Sequence, residues 1–461
     1  MKVFIFLPDG VGLKNFAFTK FYEIGKQLNH KIVYWNNTTF PLKKEFGYEE
    51  IQVPNEKINP ISDLYKRAKI RIELQLNYKE TKDKAYLSYL FPQPYNSVKN
   101  SIKSLVVNFL VFRYSSRKGL KTVIDKIYTL ESKTKLYKKC LVQLKKEQPD
   151  FVFCTNQRAI TAVAPLLAAQ KLNIPTATFI FSWDNVPKAT LLVKTNYYYV
   201  WSSFMKNELL KYAPYLKDNQ IFVTGTPQFE PHYDKNLWKT KESFYKKYNL
   251  EIDKKYICFS GDDITTSPFD EFYLEDLAKT IVSLNKKGYN LGIIYRKCPV
   301  DFTGRHLKVV EKHPDIITCI DPEWKKGNAG WNSIMPTKAD LKLLANTILY
   351  SELVINVASS MVFDAVCHSK PCAYLNYNTK KGNIAQWDIN KIYKFIHFKS
   401  MPSEKAVFWV NETEDFEKII LKVLNKNYSL ESTMQWFEKI NYSTKDASQK
   451  IWEVLQNESN K

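Results

Sequence analysis

Arginine is scarce: only seven of the 68 basic residues are arginine (67, 71, 113, 117, 158, 296 and 305), and the rest are lysine. The formal net charge of +21 therefore reads largely as a lysine bias. No RNA- or DNA-binding motif accompanies it, so no nucleic-acid partner is expected. Each rare arginine is expected to do something that a planar guanidinium does and an ammonium does not, such as gripping phosphate or carboxylate. The six histidines are scattered, and only His232 lies at an informative place, near an interdomain segment. The seven cysteines are odd in number and include no CxxC pair. That excludes a zinc ribbon and a disulfide framework, and it suits a reduced compartment. Thirteen glycines and twenty prolines are too few for a fibrous or disordered chain. Long hydrophobic runs are missing too. Residues 104–112 and 159–169 are the most apolar charge-free stretches, each about half a membrane span. The opening MKVFIFLP has no long apolar region and no small-residue cleavage site, so a cytoplasmic protein is expected, either free or peripheral on the inner face of the plasma membrane. Internal repeats and low-complexity tracts are absent.

What is present is an α/β rhythm, stated twice. KVFIFL (2–7), KIVYW (31–35), DFVFCT (150–155), TATFIF (176–181), YYYVWS (197–202) and QIFVTG (220–225) read as strands with helical segments between them. Their apolar runs are continuous, which predicts parallel strands buried on both faces. Turn formers crowd TGTPQFEPHYDKN (224–236) and mark a boundary. The rhythm restarts with strands KYICFSG (255–261), LGIIYR (291–296), IITCI (316–320), LVIN (353–356) and CAYLNY (372–377), and with a helix over 338–349. The expected domains are 1–223 and 224–413, each Rossmann-like, with 414–461 as C-terminal helices packing back toward the first domain. Residues 60–148 read as a helical insertion. Within it, 101–146 carries twelve Lys or Arg against Asp125 and Glu131. Apolar residues interleave there, so both an anionic membrane surface and a plain solvated insertion with a buried stripe remain open.

The segment NVASSMVFDAVCHSKP (356–371) runs from a strand through two serines into an amphipathic helix. Ser359 and Ser360 at a helix start would present unpaired N–H groups and hydroxyls to an anion such as a pyrophosphate. Asp364, one turn on, could accept from ribose hydroxyls. The plain alternative is an N-cap and a solvated aspartate. Elsewhere, Arg296 ends a strand in IIYRKCP (293–299), with Lys297 after it. Ser260, Gly261, Asp262 and Asp263 end another strand in SGDD. Trp324 and Trp331 stand in the loop DPEWKKGNAGWN (321–332), where Gly327 and Gly330 make the backbone adaptable. In the first half, PDGVGLKN (8–15) follows a strand but lacks the third glycine of a dinucleotide loop. Asp9 in that loop and Asp184 in FSWDNVPKA (181–189) are carboxylates able to take a proton from a hydroxyl, or merely turn formers. Asn156 and Arg158, in TNQR at another strand end, stand ready to line the same site.

In their order, these motifs resemble the GT-B glycosyltransferases, and in particular the CDP-glycerol glycerophosphotransferases and related bacterial surface-polysaccharide enzymes. There too a strand ends in two serines, followed by an Asp-bearing helix, a Lys-Pro and another strand. VTGTPQFEP (223–231) is similar to the segment with which that superfamily enters its C-terminal domain. The departures are Lys297-Cys298-Pro299 where the family has His-Pro, and a loop around Asp184 without the family's histidine. The resemblance is strongest over 150–380 and weak over 40–148.

The resemblance implies two Rossmann-like domains facing across a cleft. Ser359, Ser360, Asp364, Arg296, Lys297, Ser260 and Gly261 would bind the donor, and Trp324 or Trp331 would stack on its base. The acceptor side would be formed by Gly10, Gly12, Asn15, Asn156 and Arg158, with Asp184 slightly ahead of Asp9 as base. No metal and no cofactor is expected, only a nucleotide-sugar substrate. The implied activity is transfer of a sugar to a hydroxyl of a surface glycan, a lipopolysaccharide-type polysaccharide or a lipid-linked intermediate. CDP-glycerol transfer and nucleotide-sugar 2-epimerisation on the same fold stay open, as does a non-enzymatic basic nucleic-acid- or membrane-binding protein. The scarcity of histidines weighs against the epimerase.

Overall fold

Lys2–Leu7 (β1), Lys31–Asn36 (β2), Glu50–Gln52 (β3), Phe151–Cys154 (β4), Thr176–Phe179 (β5), Tyr197–Val200 (β6) and Ile221–Val223 (β7) form one parallel sheet in the order β3-β2-β1-β4-β5-β6-β7. Val3 through Leu7 and Phe151 through Cys154 are fully buried, as continuous apolar runs require when helices cover both faces. Lys255–Ser260 (β8), Leu291–Arg296 (β9), Ile317–Ile320 (β10), Ser351–Asn356 (β13), Cys372–Leu375 (β14) and Phe408–Val410 (β15) form a second parallel sheet, ordered β10-β9-β8-β13-β14-β15. A two-strand ribbon pairs Lys325–Lys326 (β11) with Ile334–Met335 (β12). This computed structural model describes residues 1–326, 334–382 and 387–459.

Both sheets have the doubly wound order in which the chain starts mid-sheet, runs to one edge and then crosses back. The switch falls between β1 and β4 in the first and between β8 and β13 in the second. Loops leaving neighbouring strands there diverge, and the sheet opens a crevice at their C-terminal ends.

The chain groups into two compact units. Unit 1 is Met1–Pro227 with Phe395–His397 and Ile440–Lys461, and unit 2 is Gln228–Lys394 with Phe398–Lys439. The tail therefore divides between them. Helices Asp415–Leu424 and Glu431–Ile440 lie almost wholly in unit 2, where Trp436 packs on Phe363 with ring centroids 4.8 Å apart. Helix Ala447–Ser459 belongs to unit 1. There Trp452 stacks on Phe21 at 4.7 Å and donates from Nε1 to the Phe21 carbonyl at 2.8 Å.

The insertion is built of helices, the main ones being Pro60–Thr81, Val98–Arg113, Arg117–Glu131 and Lys135–Glu147. Side chains of Asn59, Ser97, Ser116 and Thr134 cap them by accepting from backbone N–H groups of the first turn, which fixes where each begins. A satellite core of Ala68, Ile72, Val107, Leu110, Leu120 and Val123 joins the first three. Four strands escaped the sequence reading: β11 and β12, of two residues each, and β3 and β15. The last two have three residues each, and all four are too short to show a periodicity.

Candidate functional site

At the switch point of unit 1, Asp9 follows β1 and Asn156 follows β4. Asn156 Nδ2 donates to Asp9 Oδ2 at 2.7 Å, and Val11 N donates to Oδ1 at 3.1 Å. Burial pushes the Asp9 carboxyl above its usual range, against the Val11 N–H, Arg158, Asn156 and Lys66, which all pull it down. Lys66 comes from the first insertion helix, and burial lowers its own pKa. Arg158 lies over the Phe181 ring at 4.6 Å. The helix Val11–Phe16 sits tightly on this edge: a Cβ at Gly12 would stand 2.2 Å from Thr155 Oγ1. Gly12 is thus a close-approach glycine. Gly10 has an ordinary φ of −71°, so its backbone angle does not call for glycine, and Asn15 is buried.

Asp184 lies one strand further along, after β5. It accepts from Ser182 Oγ at 2.6 Å and from Asn185 Nδ2 at 2.7 Å, and it pairs with Lys188. Burial works to raise this carboxyl, but Lys188, His397 and these hydrogen bonds outweigh it and hold the group well below the usual carboxylate range. His397 is itself pushed down to about 3 by burial, so it is neutral at pH 7 and the working cation is Lys188. Tyr89 Oη lies 3.0 Å from His397 Nδ1 and accepts from Ile396 N.

Gln157 ties this loop to β4. Its Nε2 donates to Asn185 Oδ1 at 2.9 Å and its Oε1 accepts from Phe181 N at 3.1 Å. Lys69, buried on Glu73, donates to the Ala189 carbonyl at 2.8 Å. Glu208 is buried nearby, and burial lifts it to about 8. Sequence reasoning missed Lys66, Lys69, Gln157, Asn185, Lys188 and Glu208. The Lys66–Lys69–Glu73 spacing of one helix face was the available signal for the first two.

At the switch point of unit 2, Gly261 and Asp262 follow β8, and Ser359 and Ser360 follow β13. Val357 N approaches Asp262 Oδ2 at 3.4 Å, and Asp262 N donates to Asp270 Oδ2 at 2.6 Å. Burial first, then the neighbouring Asp270, pushes Asp262 well up. A raised carboxyl carries its negative charge less readily, which lessens the repulsion an anion would meet at SGDD. Asp263 instead closes a turn, accepting from Thr265 N at 2.8 Å and Thr266 Oγ1 at 3.1 Å. Ser260 is buried at the end of β8, and a Cβ on Gly261 would meet Tyr295 Oη at 2.8 Å. Ser359 N donates to Asn356 Oδ1 at 2.8 Å, and the Ser359 carbonyl accepts from Tyr374 Oη at 2.9 Å. Ala358 holds φ +56° at this turn, a left-handed conformation costly for a residue with a Cβ. Ser360 caps the helix Met361–Val366 without a side-chain bond.

Several expected donor contacts are placed differently. Asp364 is not at an open surface: it is 3% exposed and accepts from His232 Nε2 at 2.8 Å. His232 Nδ1 lies 3.0 Å from His368 Nε2. With Asp364 accepting, Nε2–H of each ring donates in turn, and His368 Nδ1 keeps a lone pair. Burial, then His232, takes His368 down to about 3.

Arg296 is not a free fork at a strand end. It is 6% exposed, and Nη2 donates to both oxygens of Asp340, at 3.0 and 3.2 Å. Trp324 Nε1 donates to the same Asp340 at 2.7 Å, so the indole is pinned by its N–H to the first turn of helix Lys338–Leu349. Lys297 pairs with Asp321 at 3.3 Å. Arg305, not singled out by sequence, binds Asp301 Oδ2 at 2.9 Å and the Asp262 carbonyl at 2.7 Å. The rare arginines here grip carboxylates of their own chain. Trp331, Gly327 and Gly330 lie outside the described residues.

By sequence, no protein-family model and no curated protein matches the chain. Solved structures do. Staphylococcus aureus MnaA in complex with UDP aligns at TM-score 0.53 and 13% identity over 100% of this chain and 97% of that one. The UDP-GlcNAc 2-epimerase of Methanocaldococcus jannaschii aligns at 0.53 and 15% over 99% and 100%. A glycosyltransferase from Rickettsia africae aligns at 0.53 and 13% over 99% and 98%. Their shared architecture, and the two doubly wound sheets described above, give this chain the GT-B fold.

Proposed function

We propose that the protein is a glycosyltransferase that moves a sugar from a nucleotide-sugar donor to a hydroxyl of a cell-surface glycan or lipid-linked acceptor, at the cytoplasmic face of the membrane. The observation that carries this reading is the placing of reactive polar groups at the switch point of each sheet: Asp9 with Asn156 in unit 1, and in unit 2 Asp262 with the Val357 N–H, at the turn that leads to Ser359 and Ser360. Unit 2 takes the nucleotide. Its diphosphate meets the Ser359 and Ser360 hydroxyls beside the raised Asp262 carboxyl, and hydroxyl donors of this kind stabilise a leaving diphosphate. Unit 1 takes the acceptor, and Asp9 removes the hydroxyl proton. Asp9 replaces Asp184 as the base because a carboxyl lifted toward neutrality is the better proton acceptor, whereas Lys188 holds Asp184 as a weak one. The UDP complex of the S. aureus neighbour and the UDP-GlcNAc in the name of the M. jannaschii one support uridine nucleotides as the first donors to try.

The test is thermal stability of the whole chain against UDP, CDP, GDP and TDP, followed by transfer assays with the sugar of the stabilising base. One nucleotide should raise the melting temperature by mass action, and Ser360→Ala should weaken that rise. If no nucleotide stabilises the protein, the donor reading falls. If the donor alone in D2O gains deuterium at sugar C2 with no acceptor present, the chain is an epimerase and the transferase reading is overturned.

A further inference from the structure

Three insertion helices look alike in sequence, being basic and amphipathic, but they spend their apolar residues differently. Arg117–Glu131 buries Leu120, Val123 and Ile127, and Lys135–Glu147 buries Leu136, Cys140 and Leu144. Helix Val98–Arg113 buries only Ser104, Val107 and Leu110 against the insertion core. Of its other apolar residues, Val111 is partly buried on that core and Val106 is 38% exposed, whereas Val98, Ile102, Leu105, Phe109 and Phe112 are each between 57% and 83% exposed. Their spacing of four, three, four and three residues sets them in one straight stripe, about 20 Å long at the helical rise. The segment before the helix adds exposed Phe91 and Tyr95. It is held along the helix by Ser104 Oγ donating to the Pro94 carbonyl at 2.8 Å and Asn108 Nδ2 donating to Tyr95 Oη at 3.0 Å. Seven such side chains expose an apolar area on the order of 500 Å², at the upper end of what a monomer ordinarily leaves to water.

Charge decides what covers it. Residues 84–124 contain seven Lys or Arg and no Asp or Glu. Lys99, Lys103 and Arg113 each follow a stripe residue by one position, so helical geometry sets them along a single flank. A second copy pairing through this stripe would bring like charges together, which a two-fold interface disfavours. An anionic surface is complementary. No described helix is long and apolar enough to cross a membrane, so this one lies in the interface plane.

We infer that helix Val98–Arg113, with Phe91 and Tyr95, docks the protein on an anionic lipid bilayer: the stripe enters the acyl boundary, and Lys99, Lys103 and Arg113 meet the headgroups. This narrows a basic region of three helices to one, and it does not depend on the transferase reading, because no sugar nucleotide is needed to observe it.

The test is flotation of the full chain with vesicles of phosphatidylcholine alone or mixed with phosphatidylglycerol. Binding is expected only to the mixed vesicles and should weaken as salt rises. Phe109→Ser with Phe112→Ser should reduce it at least about tenfold, with the melting temperature unchanged. Phe109→Trp gives a reading that does not require a disruptive variant: its fluorescence should shift to the blue on adding mixed vesicles. The inference is overturned if the double serine variant floats like the wild type, if the Phe109→Trp spectrum does not move, or if the chain is a dimer that the double variant separates. None of these outcomes touches nucleotide binding, so failure here and failure of the transferase reading are separately visible.

Discussion

In unit 1 the loops after β1 and β4 meet through one carboxylate and one side-chain amide, Asp9 and Asn156, with Lys66 and Arg158 acting on the carboxylate. In unit 2 the loops after β8 and β13 meet through a carboxyl and a backbone N–H, Asp262 and Val357, with a second carboxyl, Asp270, behind; Arg305 is paired with Asp301, and Arg296 is paired with Asp340 through Nη2 while its buried Nη1 has no partner among the described residues. The topology is the same and places the crevice in each. On the proposed reading, the side chains make one edge a place for taking a proton and the other a place for donating hydrogen bonds to an anion. A doubly wound sheet thus determines where chemistry happens but not which chemistry.

The strongest way to break this comparison is at Asp9. Asp9→Asn is expected to lower kcat by about 10²–10⁴-fold, while Asp184→Asn costs less activity and more stability. The signs differ for a physical reason. The Asp9 carboxyl is raised in the fold, so its stabilising contribution is present below the ordinary carboxyl pKa of 3.8 and is lost as pH rises through the folded value. Removing its charge leaves the melting temperature unchanged or higher at pH 7. Asp184 is depressed, so its contribution is present above 3.8 and is lost only as pH falls through a lower folded value. Scanning calorimetry of both variants at pH 7 checks the pair. The acidic limb of the kcat/KM profile should also lie above the ordinary carboxylate range.

Next in size is Arg296→Met, which strands Asp340 inside unit 2 and should cost about 3–5 kcal/mol in urea unfolding. A loss near zero would mean that Asp340 finds another cation. The two close-approach glycines compare the switch points directly. Gly12→Ala drives a Cβ to 2.2 Å from Thr155 and should cost about 1–3 kcal/mol, whereas Gly261→Ala approaches the buried Tyr295 ring less closely, at 2.8 Å from its hydroxyl, and should cost less. Urea midpoints rank them. The smallest effect is a gain: Ala358→Gly relieves the +56° backbone angle and should stabilise by about 0.5–1 kcal/mol.

Much of the fold was legible in particular residues. KVFIFL and DFVFCT are apolar at every position, and that continuity says parallel and central. Thr337 and the apolar spacing after it mark helix Lys338–Leu349 where the sequence reading put it. Serines 97 and 116 announce helix starts by their own chemistry. The partners of the polar residues were not legible. Asp340 lies 44 residues from Arg296, and Asp364 lies 132 from His232. Nothing in the local spacing of either pair distinguishes a ligand-binding carboxylate from one spent on its own chain. Asp184 carries Lys188 four residues on, a pair visible in sequence. Its consequence, a carboxylate too acidic to be a good base, depends on burial that no local pattern reports.

The sequence by itself determined the two α/β halves, the helical insertion, its excess of positive charge and the set of residues available for chemistry, because periodicity, capping and composition act over a few residues. Only the tertiary structure decided which carboxylate is raised and which is depressed, which arginines are already occupied, and which of three amphipathic helices keeps its apolar face in water. Each of those depends on desolvation and on neighbours distant in the chain, and a side chain acquires both only when the sheets and helices pack.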